Sequence, residues 1–159
     1  MTTSFELKRR VEERLEDETG TIYKDAPMRV ALVYPSPYRV GMSSLGFQTI
    51  YRQLNERPDT VCERSFLPDD IEGYRSSRTP LFTYEAERPV SDADVVALSV
   101  AYETEVLGLI ECLGLMGIPM WASERDARFH PLVLIGGPLT FSNPLPVAPF
   151  ADVMVMGEG

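Results

Sequence analysis

Positive charge is in short supply in this 159-residue chain: 15 Lys and Arg stand against 24 Asp and Glu, for a net charge of −9. Neutralising phosphates takes clustered cations, so the balance argues against a nucleic-acid surface. The one basic cluster, Lys8-Arg9-Arg10 with Arg14, is interleaved with Glu12, Glu13, Glu16, Asp17 and Glu18, the pattern of a solvated helix face. Cysteine is nearly absent. Cys62 and Cys112 lie far apart with no CxxC or CxxxCxxC spacing, so neither anchors a zinc or iron–sulfur site alone. One falls in a predicted strand and one in a predicted helix, and both read as buried apolar thiols. The single histidine, His130, precedes a predicted strand and belongs to a surface loop at the end of the sheet away from ligands. No apolar run approaches the roughly 20 residues that span a bilayer. The charged, polar N-terminus has no apolar h-region, so no membrane association and a cytoplasmic location are expected.

What is present is enough for one globular domain. Apolar residues make up 44% of the chain and the mean hydropathy is −0.10. A chain of this length buries roughly 70% of the surface its unfolded form exposes. Thr3 followed by Glu6 makes a capping box opening a helix in which Leu7, Val11 and Leu15 form a narrow stripe, ending at Gly20. Residues 1–27 therefore read as a helical appendage, and 28–159 as the core domain. Arg29–Tyr34 (RVALVY) is a strand that Pro35-Ser36-Pro37 ends. Pro35–Met42 reads as a loop. Ser43 or Ser44 then caps a helix with Phe47, Ile50, Tyr51 and Leu54 on one face, broken at Pro58-Asp59. Thr60–Leu67 is a second strand. Asp69–Ser76 fits a short helix and Leu81–Tyr84 an extended piece. Val95–Val100 is a third strand, apolar except for Ser99. Glu103–Gly117 is a helix burying Val106, Leu109, Ile110 and Leu113. Leu132–Ile135 and Val153–Met156 supply the fourth and fifth strands.

Strands without polar alternation, separated by helical stretches, predict a parallel sheet covered on both faces. The fold class is thus α/β: a doubly wound, five-stranded parallel sheet of Rossmann-like or flavodoxin-like type with an extra N-terminal helix. Ligands of such sheets sit outside the carboxyl ends of the strands. The segments of interest are Pro35–Met42, Ser99–Glu103, Gly136–Ser142 and Gly157–Gly159. In the first, Gly41 and Gly46 flank a serine-rich helix start suited to an anion or simply to capping, without GxGxxG spacing. Ser99 is either satisfied by neighbouring backbone or free for a ligand. Gly136-Gly137, followed by Pro138, either makes a tight turn or lets an extended ligand pass close to the backbone. Asp69, Asp70, Asp92 and Asp94 read as capping and turn residues. No nucleophile–base pair and no metal-ligand cluster emerges, so the chain reads as a binding domain rather than a catalytic one. Its last segment, LVLIGGPLTFSNPLPVAPFADVMVMGEG from Leu132, closes on Gly157-Glu158-Gly159, which leads us to expect further chain beyond.

Three stretches, RVALVYPSPYRVGMSSLGFQTIYRQLN, DADVVALSVAYETE and HPLVLIGGPLTFSNPLPVAPFADVMVMGEG, together resemble the N-terminal cobalamin-binding-like domain of radical S-adenosylmethionine proteins. The resemblance runs from about Arg29 to Gly159 and is closest to an uncharacterised bacterial group. The broader cobalamin fold carries DxHxxG after its first strand, SxL at its third and GG after its fourth. Ser99-Val100-Ala101 and Gly136-Gly137 match the second and third elements, and Gly41 the glycine of the first. Asp and His of the first element are missing from Tyr34–Gly41, so the resemblance implies cobalamin held without histidine ligation. It also implies that Ser99, Gly136 and Gly137 line the cofactor's nucleotide tail. Ser36, Tyr38, Gly41 and Met42 would lie under the corrin, with Ala101, Tyr102 and Pro138 alongside. It further implies a downstream radical barrel in the same polypeptide carrying S-adenosylmethionine and a 4Fe–4S cluster. A degenerate domain that has lost the cofactor and merely covers that barrel is the alternative, and a flavin or nucleotide binder a third class.

Overall fold

Five apolar segments pair into one sheet in the computed structural model, which describes residues 1–157. The strands are β1 (Met28–Tyr34), β2 (Thr60–Phe66), β3 (Val95–Ser99), β4 (Leu132–Gly136) and β5 (Val153–Met154), in the order β2-β1-β3-β4-β5. Every pairing is parallel. Glu158 and Gly159 of the expected final loop lie outside the described residues. The helices are α1 (Ser4–Glu16), α2 (Tyr38–Met42), α3 (Leu45–Glu56), α4 (Ile71–Ser76), α5 (Val106–Met116) and α6 (Pro138–Ser142). The strand order reverses direction between β1 and β3, which makes that gap the topological switch point. Right-handed crossovers leaving β1 leftward and β3 rightward put α3 and α5 on opposite faces.

Local chemistry sets the helix starts. Thr3 and Glu6 complete the capping box of α1, the Ser44 hydroxyl accepts from the Phe47 N–H, and Asp70 accepts from the Gly73 N–H. The segment read as a loop after β1 contains the short helix α2, and Gly136–Ser142 forms α6 from Pro138. These five-residue turns are too brief for an apolar period to announce them.

Each strand face meets a different fate. Ala31, Val33, Val96, Leu98, Val133 and Ile135 point toward α5 and are at most 1% exposed. They pack with Leu109, Cys112 and Leu113 of that helix. On the other face α3 covers Val30 and Leu32, but Val95, Ala97 and Leu134 are only half-buried and Leu132 is 42% exposed. The sheet is therefore fully covered on one side and open over β3, β4 and β5 on the other. A sheet with two covered faces, as the uninterrupted apolar strands suggested, is only partly realised in these residues.

A buried ion cluster ties three distant segments together. Arg64 of β2 donates from Nε to Glu85 at 2.6 Å and from its backbone N–H to the same carboxylate at 2.7 Å. Its Nη2 lies 2.6 Å from Glu18, and its guanidinium stacks 4.5 Å over the Tyr51 ring. The three charged side chains are 2–6% exposed. Burial pushes the Glu85 carboxyl up against the pull of Arg64. Burial also acts upward on Glu18, but the hydrogen bonds and charge of Arg64, with the Tyr38 hydroxyl, bring it below its ordinary value. The N-terminal segment takes part in the core as well, since Leu7 and Val11 are 3% and 4% exposed.

Candidate functional site

The carboxyl rim is built by the loops after β1, β3 and β4, and its backbone bonds show how. Ser99 stands opposite Gly136 in the β3–β4 register, so both emerge side by side. The Val100 N–H donates to the Gly136 carbonyl at 2.9 Å, and the Leu139 N–H returns to the Val100 carbonyl at 3.1 Å. The Thr140 hydroxyl lies 2.8 Å from the carbonyls of both Gly137 and Val155, fastening α6 to the exit of β5. One zipped edge results.

Beneath this edge, on the open sheet face, lies a groove of about 610 Å³. Its floor is Val30 and Leu32 of β1, Val95, Ala97 and Ser99 of β3, and Leu134 and Gly136 of β4. Ile50 and Leu54 of α3 form one wall, while Gly137, Pro138, Phe141, Val155 and Gly157 form the rim. The lining is apolar, with the Ser99 hydroxyl as the polar side chain of the floor. Among the described residues that hydroxyl finds no hydrogen-bond partner, so the neighbouring backbone does not satisfy it. The volume is in the range of small-molecule and cofactor sites, which combine apolar walls with few polar groups.

Sequence-predicted site residues thus fall into two sets. Ser99, Gly136, Gly137 and Pro138 share the groove. The other six do not line it. Tyr38 stacks on Tyr84 with ring centroids 5.6 Å apart, and its hydroxyl donates a hydrogen bond to the Glu18 carboxylate. The Met42 sulfur receives Arg64 Nη1 at 3.4 Å. Gly41 is pressed under Phe66, where a Cβ would come within 2.5 Å of the ring. Ser36 and Ala101 are half-buried at the switch point, and Tyr102 is 69% exposed beside them. The glycine pair also divides. A Cβ on Gly137 would meet the Val100 carbonyl oxygen at 2.5 Å, and its φ is +105°, so the fold itself demands glycine there. A Cβ on Gly136 would meet Val155 at an ordinary 3.5 Å, so protein packing does not require that glycine.

Sequence reasoning missed Glu105, which follows the rim segment Ser99–Glu103. It is 5% exposed, and neither carboxylate oxygen has a hydrogen bond of good geometry among the described residues. Burial raises its pKa, opposed in part by the nearby N–H groups of Tyr102 and Ala101 and the hydroxyls of Ser36 and Tyr34. No spacing in AYETE distinguishes this glutamate from its exposed neighbour Glu103. Ile50 and Leu54 of the wall and Val155 of the rim were also not read as site residues, because each looks like ordinary core in one dimension. His130 donates nothing to the rim; its Nδ1 accepts the Asp126 N–H before β4, at the opposite edge of the sheet.

Comparison with known proteins places this architecture. Residues 46–159 match the family described as radical SAM proteins, N-terminal. The chain belongs to that family. An uncharacterized protein of Methanocaldococcus jannaschii is 21% identical over 129 residues, an alignment covering 81% of this chain and 23% of that protein. A radical SAM N-terminal domain of this length thus spans under a quarter of the relative it matches. Among solved structures, a cobalamin-binding protein from Desulfitobacterium hafniense aligns over 95% of this chain and 62% of its own, at 13% identity and a TM-score of 0.44. Among the described residues no helix is long and apolar enough to cross a membrane. No group of three or more His, Cys, Asp or Glu stands ready for a metal ion among them either.

Proposed function

We propose that this radical SAM N-terminal domain holds the nucleotide tail of a corrinoid in the groove and presents the ring to a catalytic barrel of the same polypeptide. The observation that carries the reading is the pairing of Ser99 with Gly136 over an apolar groove of about 610 Å³. The tail's heteroaromatic base suits apolar walls, and the Ser99 hydroxyl, unpaired among the described residues, offers one directional polar contact on the floor. Gly136 supports the same reading, because no packing contact of the protein demands a missing side chain there. When bound, the corrinoid would supply a cobalt centre able to carry alkyl groups or exchange single electrons.

The residues of this chain would bind and orient. Ile50 and Leu54 flank the tail, Ser99 fixes its depth, and Gly136 leaves backbone clearance. The rim segment Pro35–Met42 carries no histidine, so it would supply no imidazole ligand to a bound corrinoid. Tyr38 does not fill the crevice, being held against Tyr84, and Tyr102 stands out into solvent. That favours an accessible slot over a degenerate domain whose bulky residues have closed it. A barrel as the second body is supported by exposed apolar side chains, among them Leu45 and Leu107 in the first turns of α3 and α5, at 80% and 74%, and Leu145 between α6 and β5, at 78%. The S-adenosylmethionine, iron–sulfur chemistry and substrate would belong to that barrel. Incubation with hydroxocobalamin followed by desalting tests the reading: corrin absorbance should travel with the protein. A colourless protein would reject cofactor binding and leave a ligand-free cover for the barrel.

A further inference from the structure

The open sheet face carries an inference that stands whether or not a corrinoid is bound. In parallel register, Leu132 and Leu134 of β4, Val153 and Val155 at β5, and Ala97 of β3 all point to this face. Leu132 is 42% exposed, Val153 41% and Val155 37%. Their counterparts on the α5 side, Val133 and Ile135, are fully buried. Both faces of β4 and β5 are apolar in sequence, yet only the α5 side is covered there. A parallel sheet of a doubly wound fold is built for cover on both sides.

We propose that this face seats an amphipathic helix that follows β5 in the full-length polypeptide, running back across β5 and β4 and closing the groove into a slot opposite α3. Three observations select this occupant. Gly157, the last described residue, itself lines the groove, so the chain leaves β5 at its mouth. The other face is already filled by α5. The chain spans 23% of the length of the relative it matches, and that relative therefore has ample polypeptide for such an element. The dimensions agree: a helix of about 12 residues is ~18 Å long, and a five-residue strand is ~17 Å. Its apolar residues should recur at i, i+3, i+4 and i+7.

Thiol protection tests this in the full-length, cobalamin-free protein. Leu132→Cys and Val153→Cys each place a thiol on the exposed part of the face but outside the groove lining, where a corrinoid would not shield it. Gln53→Cys, on the exposed side of α3, serves as the reference. Cys62 and Cys112 are fully buried and stay silent while the protein is folded. Both test thiols should react with maleimide at least tenfold more slowly than Cys at position 53. A photoactivatable maleimide at either position, in the fraction labelled, should cross-link to a peptide within roughly 20 residues after Gly159, the span of one short link and such a helix. Labelling as fast as the reference at both positions overturns the proposal. So does protection that disappears on dilution, which identifies a second copy, and so does cross-linking confined to distant segments, which identifies the barrel. Hydroxocobalamin retention is measured separately, so failure of either reading is seen without the other.

Discussion

Replacing Glu105 by glutamine should stabilise the domain at neutral pH. The carboxyl is 5% exposed, neither oxygen has a well-formed hydrogen bond among the described residues, and burial holds its pKa above the ordinary value. Glutamine keeps the shape and removes the buried charge. Leaving a buried group unsatisfied costs about 1–3 kcal/mol and more when it is charged, so removing the charge alone should return on the order of 1–3 kcal/mol. For a chain of this size 1 kcal/mol moves Tm by about 2–4 °C, so the gain should be roughly 2–12 °C. The pH dependence has a definite sign. A carboxyl whose folded pKa is raised contributes stability below its unfolded value, near ~4.3, and loses it as pH rises through the folded value. The advantage of Glu105→Gln should therefore open as pH rises and close in acid. Thermal unfolding followed by circular dichroism between pH 4 and pH 8 reads both. A variant less stable than the parent at pH 8, or an advantage that does not change with pH, refutes the argument and means that Glu105 is ionised and well solvated in the fold.

Two other substitutions probe separate parts of the structure. Arg64→Met leaves Glu18 and Glu85 buried without their cation and should cost about 3–5 kcal/mol in urea unfolding. Adding Glu18→Gln and Glu85→Gln should recover part of that loss, and a single-variant loss below about 1 kcal/mol would show the cluster to be hydrated. Gly137→Ala should cost about 2–5 kcal/mol, from its positive φ and the Val100 clash together. Gly136→Ala should change stability by less than about 1 kcal/mol while weakening hydroxocobalamin retention. Equal stability losses at both glycines would show that the pair serves only the turn.

The sheet was legible because its evidence is local and redundant. RVALVY, VVALS and LVLI are apolar runs between helical patterns, and parallel strands are the structures that want them. Thr3 with Glu6, Ser44 and Asp70 announced helix starts through side chains that meet backbone N–H groups three residues on. The juxtaposition of Ser99 with Gly136 follows once β3 and β4 are neighbours, since both end their strands. Other features depend on where a side chain turns. Tyr38 and Met42 sit in the first rim segment by sequence, but the buried ion cluster draws both inward, Tyr38 through Glu18 and Met42 through Arg64. The cluster of Glu18, Arg64 and Glu85 joins residues with no common motif, so nothing in one dimension links them. Gly136 and Gly137 look alike on paper; only their distances to Val155 and Val100 tell a spacious position from a crowded one.

Gly108 of α5 lies so near the end of β1 that a Cβ there would sit 2.1 Å from the Pro35 carbonyl oxygen. Backbone meets backbone at that point, with no side chain between them to flex. Packed interiors compress little, so the first strand's exit and the fifth helix behave mechanically as a single strut. At the start of the Pro35–Met42 segment there is therefore no rotamer change that could take up a displacement of one backbone against the other, and any side chain at position 108 would have to push the two apart.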